Sequence, residues 1–469
     1  MTQTHVSQNL TAPSFVDITV SNGQQKRALS YATTVTQLFT QIMNKKMPAD
    51  RCLAEYFREH KKHGSKDRKV IRESLFSLFR WWGWLKQLGD MSQAQDALLI
   101  LSYASALEQH PWLPVSQAWL TLSGKLDQLD AFYPQLEQQN TNPIIQTTDT
   151  SRLVIELQAT FTQTSRQEVV IEQLVPAWFW EVCPVEQQQD RIELIQALST
   201  RPPIWARAQR QNRDDVIKQL DQEGLQAQPS EYFSDALNLG TKSINFNASQ
   251  CYQQGLIEIQ DLGSQVIGQI CQPQADEHWW DTCSGAGGKT LQLRSLMQQQ
   301  SSQSQGRITA SDIRRKPLEE LHKRAKRAKF NHINTAPWQS DVLPVSEEGF
   351  DGVLVDAPCS CIGTWRRNPD MRWLDDRSCV DDKASLQLDI LTRSAKAVKL
   401  GGKLVYATCS LSPIENQQVV DSFLQNNETY SLQTVAHPFT QTDADMLTVW
   451  PQQANCDGMF VAVMKRNLP

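Results

Sequence analysis

An open α/β fold with a mostly parallel sheet is predicted for the C-terminal half of this 469-residue chain by three observations. A strand-like run, His278-Trp279-Trp280-Asp281, leads through Thr282 and Cys283 into a glycine-rich turn, Ser284-Gly285-Ala286-Gly287-Gly288, and then a helical segment at 291–297. A second run, Gly352-Val353-Leu354-Val355, ends on Asp356-Ala357-Pro358-Cys359-Ser360. A third, residues 403–407, ends on Thr408-Cys409-Ser410. Ligands of such sheets bind outside the carboxyl ends of the strands, so the turn and both thiols are expected to face one crevice.

Taken in chain order, residues 1–28 read as a mobile N terminus. The first 20 residues hold no Lys or Arg and no continuous apolar core, which predicts neither a secretory signal nor a membrane anchor. Residues 53–88 carry Tyr56, Phe57, Ile71, Leu75, Phe76, Leu78, Phe79, Trp82 and Leu85 at helical spacing, with basic residues on other faces. That aromatic stripe reads as core rather than as a base-stacking platform. Similar periodicity at 97–107 and 118–129 extends a helical domain over 29–140. Residues 141–170, rich in Thr and Gln, read as a connector with a strand at 152–157. Residues 171–250 alternate short elements, including a strand at Trp205-Ala206-Arg207-Ala208 and a helix at 213–220, and predict a small α/β subdomain.

The remaining residues, 251–469, form the predicted sheet domain. Its glycine turn lets backbone amides approach a ligand closely. The Gly-Lys-Thr end lacks the glycine spacing of a triphosphate-binding loop, which excludes a nucleotide triphosphatase. Residues 298–306 are polar and of low complexity, as in a surface loop. Asp312 closes the strand at 308–311, the usual place for a carboxylate that accepts ribose hydroxyls. A third strand at 333–340 precedes Asp341, which is expected beside an adenine. The tail at 457–463 reads as a final antiparallel strand. The candidate cofactor set is therefore Thr282, Cys283, Ser284, Gly285, Ala286, Gly287, Gly288, Lys289, Asp312, Asp341 and Asp356.

The glycine turn, the stretch from Asp356 to Asp370 (DAPCSCIGTWRRNPD) and the stretch from Gly401 to Ser410 (GGKLVYATCS) together resemble the RsmB/Nop/Sun family, S-adenosylmethionine-dependent RNA cytosine-C5 methyltransferases, over residues 170–469. The resemblance implies a Rossmann-like class I methyltransferase domain, preceded by a small α/β RNA-binding subdomain and an N-terminal helical, NusB-like RNA-binding domain. It implies S-adenosylmethionine as methyl donor and Cys409 as the thiol that attacks carbon 6 of cytosine. Asp356 then hydrogen-bonds nitrogen 3, Cys359 assists release, and Lys289 lies near the target base. By the same resemblance Gln260 reaches the cofactor, and Trp365-Arg366-Arg367 supplies stacking and phosphate contacts. One departure is Gly285-Ala286, where many members carry Ala-Pro.

Composition agrees with a globular enzyme, with 21% charged and 40% hydrophobic residues. Ten cysteines without the spacing of a disulfide framework predict a reducing cytoplasm. Cys361 follows Cys359 too closely for a structural zinc site and has no His beside it, so it reads as loop filler and no metal is expected. The net charge of -5 hides two basic clusters, at residues 61–80 and 314–329, that are candidates for an RNA path. A monomer acting on RNA, favourably that of the small ribosomal subunit, is expected. Transfer RNA remains an alternative substrate, and a noncatalytic RNA-binding assembly factor that keeps the cofactor pocket is an alternative role.

Overall fold

In the computed structural model, residues 9–125 and 151–468 are described, and they fall into two compact units. The first comprises Met1–Glu181, Val185–Thr200 and Trp365–Asp376. Its helices are α1 (Gly23–Lys45), α2 (Ala49–Glu59), α3 (Ser65–Leu85), α4 (Ala94–Leu107), α5 (Leu113–Ser123), α6 (Ser151–Ser165) and α7 (Gln188–Ser199). Local chemistry sets their ends: the Asn22 side chain caps α1 by accepting from the Gln25 amide, and Asp67 accepts from the Gly64 amide at the start of α3. The stretch from Leu53 is thus broken into α2 and α3 around His60–Gly64 rather than running as one helix. The stripe is core in part: Ile71, Leu75, Leu78, Phe79 and Leu85 are buried, whereas Tyr56, Phe57, Phe76 and Trp82 are half-buried.

Three readings of this unit change. Residues 152–157 lie in helix α6, not in a strand, because Val154, Leu157 and Phe161 recur at helical spacing and are all buried. The described part of the N terminus is tied down: Asn44 bonds both the amide and the carbonyl of Leu10, and Phe15 is buried. Trp365 and Arg366 are core residues, the indole packing on Trp178 and Phe179 and the guanidinium reaching Thr200. Neither presents a stacking or phosphate-binding face.

The second unit comprises Val182–Pro184, Arg201–Thr364 and Arg377–Pro469. Strands β1 (Trp205–Ala208), β2 (Gln228–Pro229), β3 (Ala236–Asn238) and β4 (Ile257–Ile259) make an antiparallel sheet in the order β2-β3-β1-β4, beside helix α8 (Arg213–Gln222). The larger sheet contains β5 (His278–Asp281), β6 (Arg307–Ala310), β7 (Ile333–Thr335), β8 (Phe350–Asp356), β9 (Val398–Thr408) and β10 (Tyr430–Gln433). A small ribbon follows, β11 (Val435–Ala436) with β12 (Asp443–Ala444), and then β13 (Met446–Val449) and β14 (Met459–Arg466) complete the large sheet.

Its order is β10-β14-β9-β8-β5-β6-β7, with β13 on β14. Strands β5 to β9 run parallel and β14 antiparallel to β9, as predicted. Alternate residues fill two cores: Trp279, Ile308, Leu354 and Val405 on one face, Trp280, Val353, Val355 and Tyr406 on the other. Strand β7 stops at Thr335, ahead of Pro337, which has no amide to donate, so Asp341 lies in the loop beyond it. Because β5 has β6 on one side and β8 on the other, the chain reverses direction across the sheet at β5. That topological switch opens a crevice above the carboxyl ends.

Candidate functional site

The glycine turn springs from β5 and ends in helix α9 (Gly288–Gln300). Gly285 and Gly287 hold φ of +52° and +86°, which side-chain-bearing residues adopt at a cost of about 1–2 kcal/mol. A Cβ on Gly287 would meet Leu321 Cγ at 2.6 Å, whereas nothing lies within 4 Å of a Cβ on Gly285 or Gly288. The turn is therefore pressed against the protein on one side and open on the other. Ser284 pins it to β6, its amide donating to the Ser311 carbonyl at 2.8 Å. Arg324 donates to the Ala286 carbonyl at 2.6 Å, a bond that fixes the turn without the missing proline.

Asp312, 5% exposed, accepts the Gly285 amide at 3.1 Å and the Arg314 amide at 2.8 Å. Burial raises its carboxyl, but bonds from Arg314 and Gly285 outweigh burial and hold it below the usual carboxylate range. Thr282 and Cys283 support the turn from behind: the Thr282 amide continues the β5–β8 pairing by donating to the Leu354 carbonyl, and burial pushes the Cys283 thiol up to about 12. Asp341 is fully exposed, with its carboxylate 3.5 Å from Arg393. No hydrogen bond among the described residues ties it to the turn or to Asp312. Gln260 is engaged in the protein interior, accepting from Arg207 and donating to Gln292.

The two cysteines meet as predicted. Asp356 ends β8 and Thr408 ends β9, and the loops that follow bring the Cys359 and Cys409 sulfurs to 3.3 Å. Lys289, 9% exposed, donates from Nζ to the Asp356 carboxylate at 2.7 Å. Burial works against the Lys289 cation, yet Asp356 prevails and raises it above the ordinary lysine value, so the ammonium persists. Burial pushes the Asp356 carboxyl up, with Lys289 opposing. A buried carboxyl whose proton affinity is raised, beside a fixed cation, can hydrogen-bond an incoming ring nitrogen.

Three residues of this site escaped the sequence reading. Cys361 is not filler: its sulfur lies with those of Cys359 and Cys409, all within 4.8 Å of one another. The three thiols share charge. Hydrogen bonds from Cys359 and Cys409 favour a thiolate at Cys361, down to about 4, and that bond and charge raise Cys359 well above the ordinary thiol range. At Cys409 the bond with Cys359 lowers the thiol, but Cys361 and burial win and raise it to about 12. Lys289 acts in the opposite direction, favouring the Cys409 thiolate.

The second is Glu415, fully buried in the loop after β9. Its carboxylate accepts from the Ser360 amide at 2.8 Å, from the Ser360 and Ser410 hydroxyls, and from Gln387 at 3.0 Å. Ser360 follows one cysteine and Ser410 the other, so a single carboxylate ties both thiol-bearing loops together. Gly363 tightens the same junction: its amide donates to the Cys409 carbonyl at 3.0 Å, and a Cβ there would meet that carbonyl oxygen at 2.8 Å. Asp281 was also passed over. It joins β5 to α9 by accepting the Thr290 hydroxyl at 2.6 Å, and its Oδ1 is buried without a partner.

The basic clusters divide between structure and surface. Arg80 is buried against Glu108 at 2.7 Å. In helix α10 (Arg315–Arg327), Arg324 and Arg327 both bind Glu258, each at 3.0 Å, with Glu258 2% exposed. Their side chains are thereby committed to holding β4. Lys323, Lys326 and Lys329 remain exposed, and with Arg210, Gln211 and Gln253 they line a groove of about 670 Å³ in this unit. No helix among the described residues is long and apolar enough to cross a membrane.

Both sheets lie largely in regions similar to known proteins. Residues 268–465 match the family described as 16S rRNA methyltransferase RsmB/F, and residues 175–245 match the RsmF/B-like ferredoxin-like domain. The ribosomal RNA small subunit methyltransferase B of Shewanella oneidensis is 30% identical over 316 residues, covering 65% of this chain and 70% of that relative. The crystal structure of PH0851 superposes with a TM-score of 0.69 at 21% identity, over 95% of this chain and 99% of that one. NSun6 from Pyrococcus horikoshii with SFG gives 0.54 at 17% identity, over 63% of this chain and 99% of that one. These two solved structures share the fold.

Proposed function

This chain belongs to the RsmB/F family of RNA methyltransferases, and from that premise we propose that it transfers a methyl group from S-adenosylmethionine to carbon 5 of a cytosine in small-subunit ribosomal RNA. The observation that carries the proposal is the pair of sulfurs 3.3 Å apart beside the Lys289–Asp356 ion pair. Carbon 5 of cytosine is a poor nucleophile until a thiolate adds to carbon 6. Cys409 makes that bond; Cys361 and burial hold its thiol up to about 12, so it gives up its proton as the ring arrives, and the Lys289 cation works in favour of the thiolate. Asp356 hydrogen-bonds nitrogen 3, so the ring nitrogen takes up the charge that addition creates. Once carbon 5 carries the methyl group, its hydrogen leaves as a proton to a base. In this reading Cys359, once it has lost its own proton, serves as that base, and the electron pair left behind expels the Cys409 sulfur from carbon 6.

The open face of the glycine turn suits a cofactor that approaches backbone closely. Asp312 would hold its ribose hydroxyls in place of the exposed Arg314 guanidinium, the amides of 285–288 would line its amino-acid end, and Asp341 would flank its base. S-adenosylmethionine bound there supplies an electrophilic methyl group. The groove edged by Lys323, Lys326 and Lys329 supports an RNA backbone path on the same unit.

The test is transfer of labelled methyl to unmodified small-subunit and transfer RNA, followed by nucleoside analysis. 5-Methylcytidine in the ribosomal RNA is expected. Cofactor binding without transfer to any RNA or particle would move the assembly-factor reading ahead.

A further inference from the structure

We propose that Cys359, Cys361 and Cys409 together form a binding site for a thiophilic cation of the Zn²⁺ and Cu⁺ class, and that its occupancy closes the catalytic thiol pair. Two thiols suffice for the chemistry above, and the third is left over. Cys361 nevertheless sits in the left-handed region, at φ +60°, a conformation that costs a non-glycine residue about 1–2 kcal/mol. That backbone turns its side chain back on the loop, with Sγ 3.5 Å from the Cys359 carbonyl. In that conformation the third sulfur lies within 4.8 Å of the other two.

The geometry suits such an ion. Sulfurs bonded to zinc at about 2.3 Å in a tetrahedral arrangement lie roughly 3.8 Å apart. Here the Cys359 and Cys409 sulfurs are 3.3 Å apart, and all three lie within 4.8 Å of one another. Small side-chain rotations bring them onto one metal face. All three cysteines are partly exposed rather than sealed in the core. Among the described residues no other group of His, Cys, Asp and Glu converges in this way. Sulfur donors without carboxylate or carbonyl partners select soft cations over magnesium or calcium. Each metal–sulfur bond forms as that thiol gives up its proton to buffer, and no electrons are transferred. A divalent ion on three thiolates carries a net negative charge, which the neighbouring Lys289 ammonium stabilises.

Coordination consumes the lone pairs that Cys409 needs for attack and that Cys359 needs for release, so the ion is an inhibitor rather than a cofactor. Sequence spacing along Cys359-Ser360-Cys361 did not reveal the site because its third ligand comes from 48 residues downstream.

The full-length, reduced protein is titrated with Co²⁺ as the probe, followed by displacement with Zn²⁺. A thiolate-to-cobalt absorption band saturating at one equivalent is expected. Cys361→Gly removes the sulfur and relieves the backbone, and it should weaken binding by at least about 100-fold, since loss of a mere outer partner already costs 10–100-fold. Cys361→Ser keeps the side-chain size and should show the same loss, so a folding defect cannot imitate the result. No saturable band in the wild type, or a band undiminished in both variants, overturns the proposal. The readout needs no RNA, so it stands or falls separately from the methyl-transfer assay.

Discussion

Replacing Glu415 with Gln should leave the fold intact and cripple turnover. The carboxylate receives four hydrogen bonds, two of them from hydroxyls that flank the reactive cysteines. Gln keeps one carbonyl oxygen, which can still accept the Ser360 amide and Gln387. Its NH₂ group now faces the Ser360 and Ser410 hydroxyls, which must turn to accept. Two charge-assisted bonds, worth about 1.5–3 kcal/mol each, become neutral ones worth about half of that, a net loss of about 2 kcal/mol in stability. The catalytic effect is larger, because both loops lose their common anchor. A displacement of about 1 Å between reacting groups costs on the order of 100-fold in rate. Methyl transfer at saturating RNA should therefore fall about 100-fold in kcat with little change in KM, and diamide should oxidise the Cys359–Cys409 pair more slowly. Wild-type kcat and oxidation rate in a protein destabilised by the calculated amount would refute the reasoning.

Three further outcomes follow from the same structure. Burial raises the Asp281 carboxyl from 3.8 to about 7, so the folded state keeps a proton that the unfolded chain releases. Its contribution to stability falls as pH rises from about 4 to about 7, by at most about 4 kcal/mol, and Asp281→Asn should flatten that slope in urea unfolding at pH 5 and 8. An unchanged slope would show that Asp281 does not titrate there. Charge reversal at Lys326 and Lys329 should weaken RNA binding and reduce its salt dependence, whereas identical salt slopes would remove the groove from the RNA path. Glu258→Ala should destabilise by several kcal/mol, since it strands two partly buried guanidinium groups, as chemical unfolding can read.

The strand ends were legible because each apolar run stops at a residue with evident chemistry. Asp356 and Thr408 mark the limits of β8 and β9, and the parallel register then makes the thiols neighbours. Position along the chain also sufficed for Asp312, which meets the glycine turn through the Gly285 amide. What stayed hidden depends on three-dimensional closure. Cys361 joins the thiols through a positive φ that no local pattern announces. Glu415 acts on loops 55 and 5 residues away, and only the Ser that follows each cysteine hinted at a shared acceptor. The arginines misled in the opposite direction: Arg324, Arg327 and Arg366 look like surface charge in sequence, yet each is held by interior partners. A run containing Val154 and Ile155 suggested a strand because the window ended before Phe161 completed the helical face.

The most direct test of the account is the identity of the residue joined to RNA. Cys359→Ala protein incubated with S-adenosylmethionine and its RNA should accumulate a denaturation-stable protein–RNA adduct, and peptide mapping should place the cytosine on Cys409. Cys409→Ala should give none. An adduct on another cysteine in the Cys359→Ala protein, or one that forms equally well without Cys409, would contradict the division of roles drawn from the paired sulfurs.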